Sequence, residues 1–122
     1  MEFKIPFKID NSGRTIQLDD RIVLLGSCFS DEMNTSFNNA GFSTFSNPFG
    51  TQFHPGPIAQ ELSYSLSDSK DVDVLKRGDL YMSWNCGEAL YGLSESDLIN
   101  EVIVKRRSLR DHLSAKNTTL II

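Results

Sequence analysis

The chain has 122 residues, 39% of them hydrophobic and 23% charged, proportions that suit one folded domain rather than a disordered chain. Twelve Lys and Arg against sixteen Asp and Glu leave a net charge of −4, with a pI near 5.0. This balance excludes nucleic-acid binding by broad charge neutralisation, and no apolar run approaches the ~20 residues of a membrane span.

The segment Phe3 to Ile9 alternates apolar and polar residues, so an edge strand or loose extended arm is expected around Pro6. It has no continuous apolar core and does not read as a secretory signal. Asn11-Ser12-Gly13 reads as a turn. Arg21 to Leu25 is the strongest strand, with four consecutive apolar residues, as in a parallel sheet buried on both faces. Gly26 ends it. A helix follows, with Ser30 expected as its N-cap and Gly41 at its C-terminal end. Phe42 to Phe45 reads as a short second strand, and Asn47-Pro48-Phe49-Gly50 as a loop.

Pro57 suits the first turn of a second helix, whose apolar face would carry Ile58, Leu62 and Leu66. Val74-Leu75 and Leu80 to Trp84 read as short strands about Arg77-Gly78-Asp79. Ser94 opens the clearest helix, with Asp97 completing a variant capping box. Its apolar stripe runs through Leu98, Ile99, Val102, Ile103, Leu109 and Leu113. Thr118 to Ile122 begins another buried strand. The succession is an α/β pattern, and the chain stops inside that last strand. It is therefore expected to be the N-terminal portion of a longer domain.

The chemistry is expected at Gly26-Ser27-Cys28, between the first strand and the first helix. Ligands of doubly wound sheets bind where strands end and helices begin. A side chain there meets a helix dipole and unpaired backbone N–H groups, which favour a thiolate and an oxyanion. Read without that chemistry, Ser27 is a turn residue and Cys28 a small buried hydrophobe.

Leu24-Leu25-Gly26-Ser27-Cys28-Phe29-Ser30 resembles the signature of the GSCFA-domain family, with Ser30 replacing the usual Ala. The likeness continues in Asn47-Pro48-Phe49-Gly50 with Phe53 and Pro55, in Met82-Ser83-Trp84 and in Leu93-Ser94. It implies kinship with the SGNH (GDSL-like) hydrolases, which are flavodoxin-like three-layer α/β/α esterases, lipases and carbohydrate acetylesterases or acyltransferases. By that resemblance Cys28 or Ser27 is the nucleophile, with Gly50 and Asn47 at the oxyanion. The general base and its orienting acid would lie beyond residue 122. The implied activity is hydrolysis or transfer of an acyl ester on a small molecule or carbohydrate, with this portion inactive alone. The alternative is a non-catalytic binding or accessory domain of the same fold.

Other groups carry blander expectations. His54 is read as a loop hydrogen-bonding residue, with a general-base role the lesser possibility. His112 is read as a solvated histidine at a helix C-terminus. Lys105-Arg106-Arg107 is read as a solvated face. Trp84 with Tyr81 and Tyr91 is read as core packing ahead of a sugar-stacking platform. Cys28 and Cys86 are too few for a disulfide scaffold or a structural zinc site, so free thiols in the cytosol and no metal or cofactor are expected. The oligomeric state is left open.

Overall fold

The computed structural model describes residues 5–11 and 13–122. The elements run β1 (Arg21–Leu24), α1 (Cys28–Asn39), β2 (Ser43–Ser46), α2 (Pro55–Leu66), β3 (Val74–Arg77), β4 (Leu80–Ser83), α3 (Glu95–Ser114) and β5 (Thr118–Ile121). Residues 5–11 carry no regular structure, so the alternating segment is not a strand over its described part; Phe3 and Lys4 lie outside the described residues. Alternation alone forms no strand without an edge to pair with. Of the expected turn, Ser12 also lies outside them, while the Gly13 N–H donates to Asn11 Oδ1 at 3.0 Å.

The fold is mixed α/β. Its main sheet is parallel, in the order β2-β1-β5, with Val23 opposite both Phe45 and Leu120. A two-stranded antiparallel ribbon, β3-β4, stands apart. The chain leaves β1 toward one edge of the sheet and returns past it to the other. Right-handed crossovers therefore put α1 on one face and the α2–α3 pair on the opposite face. The burial of β1 agrees: successive side chains face opposite ways, and Ile22, Val23 and Leu24 are all fully buried. Val23 and Leu25 join Leu98, Val102 and Leu109 of α3, together with Phe49, Ile58 and Leu90, in one apolar core.

Caps fix the helix starts, and one differs from the sequence expectation. Ser27, not Ser30, caps α1, its Oγ accepting the Phe29 N–H. The tight turn at Gly26 starts the helix early, and Ser30 is a buried residue of its first turn. His54 caps α2 through Nδ1, which accepts the Gly56 N–H at 3.0 Å, so the helix opens at Pro55 and Pro57 lies in its first turn as expected. Ser94 caps α3 as expected, accepting the Asp97 N–H at 3.1 Å.

Two faces also depart from expectation. On α2, Leu66 is exposed, while Glu61 and Ser65 are buried beside Ile58. On α3, Arg106 is buried among Leu98, Val102 and Leu109 and does not belong to a solvated basic face. The two departures have one cause. The Arg106 guanidinium forks onto Glu61, Nε to Oε2 at 2.7 Å and Nη2 to Oε1 at 2.8 Å. Its Nη1 donates to the carbonyls of Asp71 and Ser69, and the Tyr64 ring lies 4.6 Å away. A bidentate, fully hydrogen-bonded pair is the form in which two charges tolerate burial. His112 is likewise half-buried and not solvated: its ring stacks on Phe45 at 3.8 Å and Nδ1 meets Ser108 O at 2.7 Å.

Removing one partner of the buried pair strands the other charge. Arg106→Met is expected to destabilise the domain by about 3–5 kcal/mol in urea unfolding. The double variant Arg106→Met/Glu61→Leu is expected to recover much of that loss.

Candidate functional site at the end of β1

In an open α/β sheet, ligands bind beyond the carboxyl ends of the strands, where the winding reverses. Here the chain reverses about β1, which lies between β2 and β5, so that point is the Gly26-Ser27-Cys28 turn. The turn is held from several sides. The Leu25 N–H donates to Ile121 O at 2.9 Å, and Gly26 O accepts from the Gln52 N–H at 2.8 Å. The Gly26 N–H donates to Asn47 Oδ1 at 2.8 Å. The Asn47 Nδ2 in turn donates to Asp31 Oδ1 at 2.8 Å and, at 3.5 Å, reaches Ser27 O. Ser46 Oγ donates to the same Asp31 oxygen.

Gly26 is at φ +155°, and a Cβ there would lie 2.6 Å from Ser30 Oγ. The close approach of the turn to the first helical residues therefore requires glycine. Asn47 itself is at φ +41°, a left-handed conformation that asparagine tolerates.

Cys28 is the first residue of α1 and is exposed, and Phe29 beside it is 69% exposed. The buried-hydrophobe reading of Cys28 is thereby corrected. Ser27 Oγ serves as the cap, as the turn-residue reading required. Among the described residues, no protein acceptor engages the Ser27 or Cys28 N–H groups. Such N–H groups at a helix start can receive a developing negative charge. Gly50 and Asn47 are used differently. The Gly50 N–H closes a turn onto Asn47 O at 3.0 Å, and both ends of the Asn47 amide hold the Gly26 turn.

Next to the turn lies a cleft of about 360 Å³, lined on one side by Thr51 to His54 with Pro57 and on the other by Trp84 to Ala89. Trp84 is 76% exposed and Phe53 78% exposed, so core packing is the wrong reading for Trp84. It lies on the turn after β4, where it is left exposed among the described residues. Cys86 is among the residues lining this cleft, with its thiol pushed up to about 12 by burial and, secondarily, by the Glu61 charge. The two cysteines are free thiols in different settings, one exposed and one half-buried. Among the described residues there is no group of three or more His, Cys, Asp or Glu that could hold a metal, and no helix is long and apolar enough to cross a membrane.

Two supports of the site went unread in the sequence. Asp31, an acid in the first turn of α1, gave no local sign that it orients Asn47. Gln52 carried no signal, because its role is a backbone bond to Gly26 and a side-chain bond to Asn85 O.

A winding reversal over a Gly-Ser-Cys turn, with an exposed side chain at a helix start, defines an open α/β protein with its candidate site on the first crossover. The model of the GSCFA family matches residues 21–122. The chain belongs to the GSCFA family. No curated protein and no solved structure matches it.

Gly26→Ala is expected to destabilise the domain by about 1–3 kcal/mol in chemical denaturation. Adding Ser30→Ala should recover the steric part, because the next atom a Cβ meets is Ser30 Cβ at an ordinary 3.7 Å.

The thiols give a second check. Native protein at neutral pH should be alkylated by iodoacetamide at Cys28 and not at Cys86, as read by peptide mass spectrometry. The folded state holds the Cys86 thiol neutral, whereas the unfolded chain ionises it near the ordinary thiol value of 9.0. Its contribution to stability is thus complete below pH about 9 and is lost as pH rises toward about 12. Cys86→Ala should flatten that alkaline fall in the unfolding free energy.

Proposed function

We propose that the chain carries the nucleophile half of an SGNH-like ester hydrolase or acyltransferase, with Cys28 as the attacking group. The carrying observation is that Cys28 is exposed at the start of α1, on the strand-to-helix turn about which the sheet winding reverses. Membership of the GSCFA family and the parallel β2-β1-β5 order support this reading. Ser27 is the alternative nucleophile, but its hydroxyl already accepts the Phe29 N–H.

In this mechanism the Cys28 sulfur, as thiolate, attacks the ester carbonyl. The carbonyl oxygen takes up the negative charge and settles on the Ser27 and Cys28 N–H groups. The alkoxide leaves with a proton from a general acid, and water then cleaves the thioester, or a second hydroxyl takes the acyl group. Asn47 and Gly50 shape the oxyanion site by holding the turn. Gly26 leaves room for the approach.

The proton carrier is proposed to come from residues other than 1–122. His54 caps α2 and His112 stacks on Phe45, so both histidines have other uses. That same observation favours the rival reading, a non-catalytic binding domain of this fold. The substrate is a small-molecule or carbohydrate ester, and a reducing cytosol suits two free thiols.

Incubation with p-nitrophenyl acetate tests the step this chain can perform. The expected result is one acetyl group on the peptide carrying Cys28, less than one turnover, and at least a tenfold loss of acetylation in Cys28→Ala. Ser27→Ala should retain acetylation while losing about 1 kcal/mol of stability as the cap is removed. Acetylation that survives Cys28→Ala and disappears in Ser27→Ala would move the nucleophile to Ser27. No selective acetylation at either residue would favour the binding-domain reading.

A further inference from the structure

We propose that the cleft between the Thr51–His54 loop and the Trp84–Ala89 loop binds a neutral pyranose ring. Its volume of about 360 Å³ is at the small end of ligand sites and fits a group of that size. Two large aromatic side chains line it, and both are about three-quarters exposed. An aromatic ring left in water beside a concave surface is a stacking platform for a ligand with a flat apolar face. The C–H face of a pyranose is such a surface.

The polar lining supplies what the hydroxyl rim needs. His54 accepts the Gly56 N–H at Nδ1, which leaves Nε2–H as the ring's donor. Glu88 contributes a carboxylate acceptor, and Asn85 an amide with both functions. A purely apolar ligand would desolvate these groups without replacing their hydrogen bonds. A phosphorylated ligand would meet the Glu88 charge without a lysine or arginine in the lining.

The walls are fixed before any ligand arrives. The Gly87 N–H donates to Phe49 O at 2.7 Å, and the Gln52 side chain donates to Asn85 O. Gly50 and Gly87 pass so closely that a Cβ on Gly87 would lie 2.7 Å from Thr51 O. A rigid frame of this kind lowers the ordering cost of binding. Gln52 also ties the cleft to the reactive turn, its N–H holding Gly26 O at 2.8 Å. Delivery of a bound sugar's ester to Cys28 would rest on the reading of the turn above, whereas sugar binding does not.

Trp84 is the chain's one tryptophan, so its fluorescence reports on the surface around Trp84, and Phe53→Ala and His54→Ala assign the change to this cleft. The probes are methyl β-D-glucopyranoside, methyl β-D-xylopyranoside and the methyl glycoside of N-acetyl-β-D-glucosamine, with choline and benzyl alcohol as controls. A saturable fluorescence change with at least one pyranoside, weakened at least fivefold by Phe53→Ala and by His54→Ala, is expected. Calorimetric titration of Trp84→Ala should show the same loss; both aromatics are exposed, so neither variant threatens the fold. No saturable change with any pyranoside, an equal response to choline or benzyl alcohol, or binding indifferent to Phe53→Ala would overturn the proposal. Cys28→Ala should leave the pyranoside affinity unchanged. Sugar binding without acetylation of Cys28 or Ser27 would sink the catalytic reading and keep the cleft. Acetylation without sugar binding would do the reverse.

Discussion

The hydrogen bond from the Gly26 N–H to Asn47 Oδ1 is the constraint on which the rest of the site depends. It ties the end of β1 to the residue that follows β2. The Asn47 N–H continues the ladder onto Leu24 O, and its amide nitrogen is held by Asp31 from α1. Three elements therefore meet at one side-chain amide. With that amide in place, Gly26 turns the chain sharply, Ser27 caps α1, and Cys28 becomes the first helical residue with its side chain in water. A short polar bracket of this sort costs little to build, because each of its groups is satisfied by another.

A second bracket holds the other half of the surface. Gln52 bonds Gly26 through its backbone and Asn85 through its side chain, while Gly87 bonds Phe49 across a contact that admits no Cβ. The loop after β4 is thus fastened to the loop before α2, with Trp84 and Phe53 standing out from it. Behind both brackets, the Glu61–Arg106 pair joins α2 to α3 within the core. Such a pair contributes little net stability against an apolar substitute of equal shape, while its bidentate geometry sets Glu61 of α2 directly against Arg106 of α3.

Much of this was legible in the sequence, for physical reasons. β1 announced itself because a central parallel strand must be apolar on both faces. The α3 helix was visible from its spacing, and Ser94 from its capping pattern. The Gly-Ser-Cys turn stood out because a glycine between a buried strand and a helix has few other uses. The failures share a cause as well. Arg106 lies on the same stripe as Val102 and Leu109, and Glu61 falls one turn from Ile58 and Ser65. Their charge concealed a position that their spacing already marked as buried. Ser30 was a plausible cap only while the tightness of the turn at Gly26 was unknown. Trp84 looked like core by composition, whereas it lies on the turn just after β4, outside the strand whose burial its neighbours suggested. Asp31 and Gln52 act through tertiary hydrogen bonds, which leave no periodic trace.

The account stands on the claim that the Ser27 and Cys28 N–H groups receive an oxyanion at this turn. The most direct measurement is an amide chemical-shift titration with methylphosphonate, a small tetrahedral anion that imitates the charge of an acyl-transfer intermediate. The account predicts saturable shifts at the Ser27 and Cys28 amides, with Gly26 and Gly50 nearly still because their N–H groups are already bonded. Shifts confined to other helix starts, or none at Ser27 and Cys28, would contradict it.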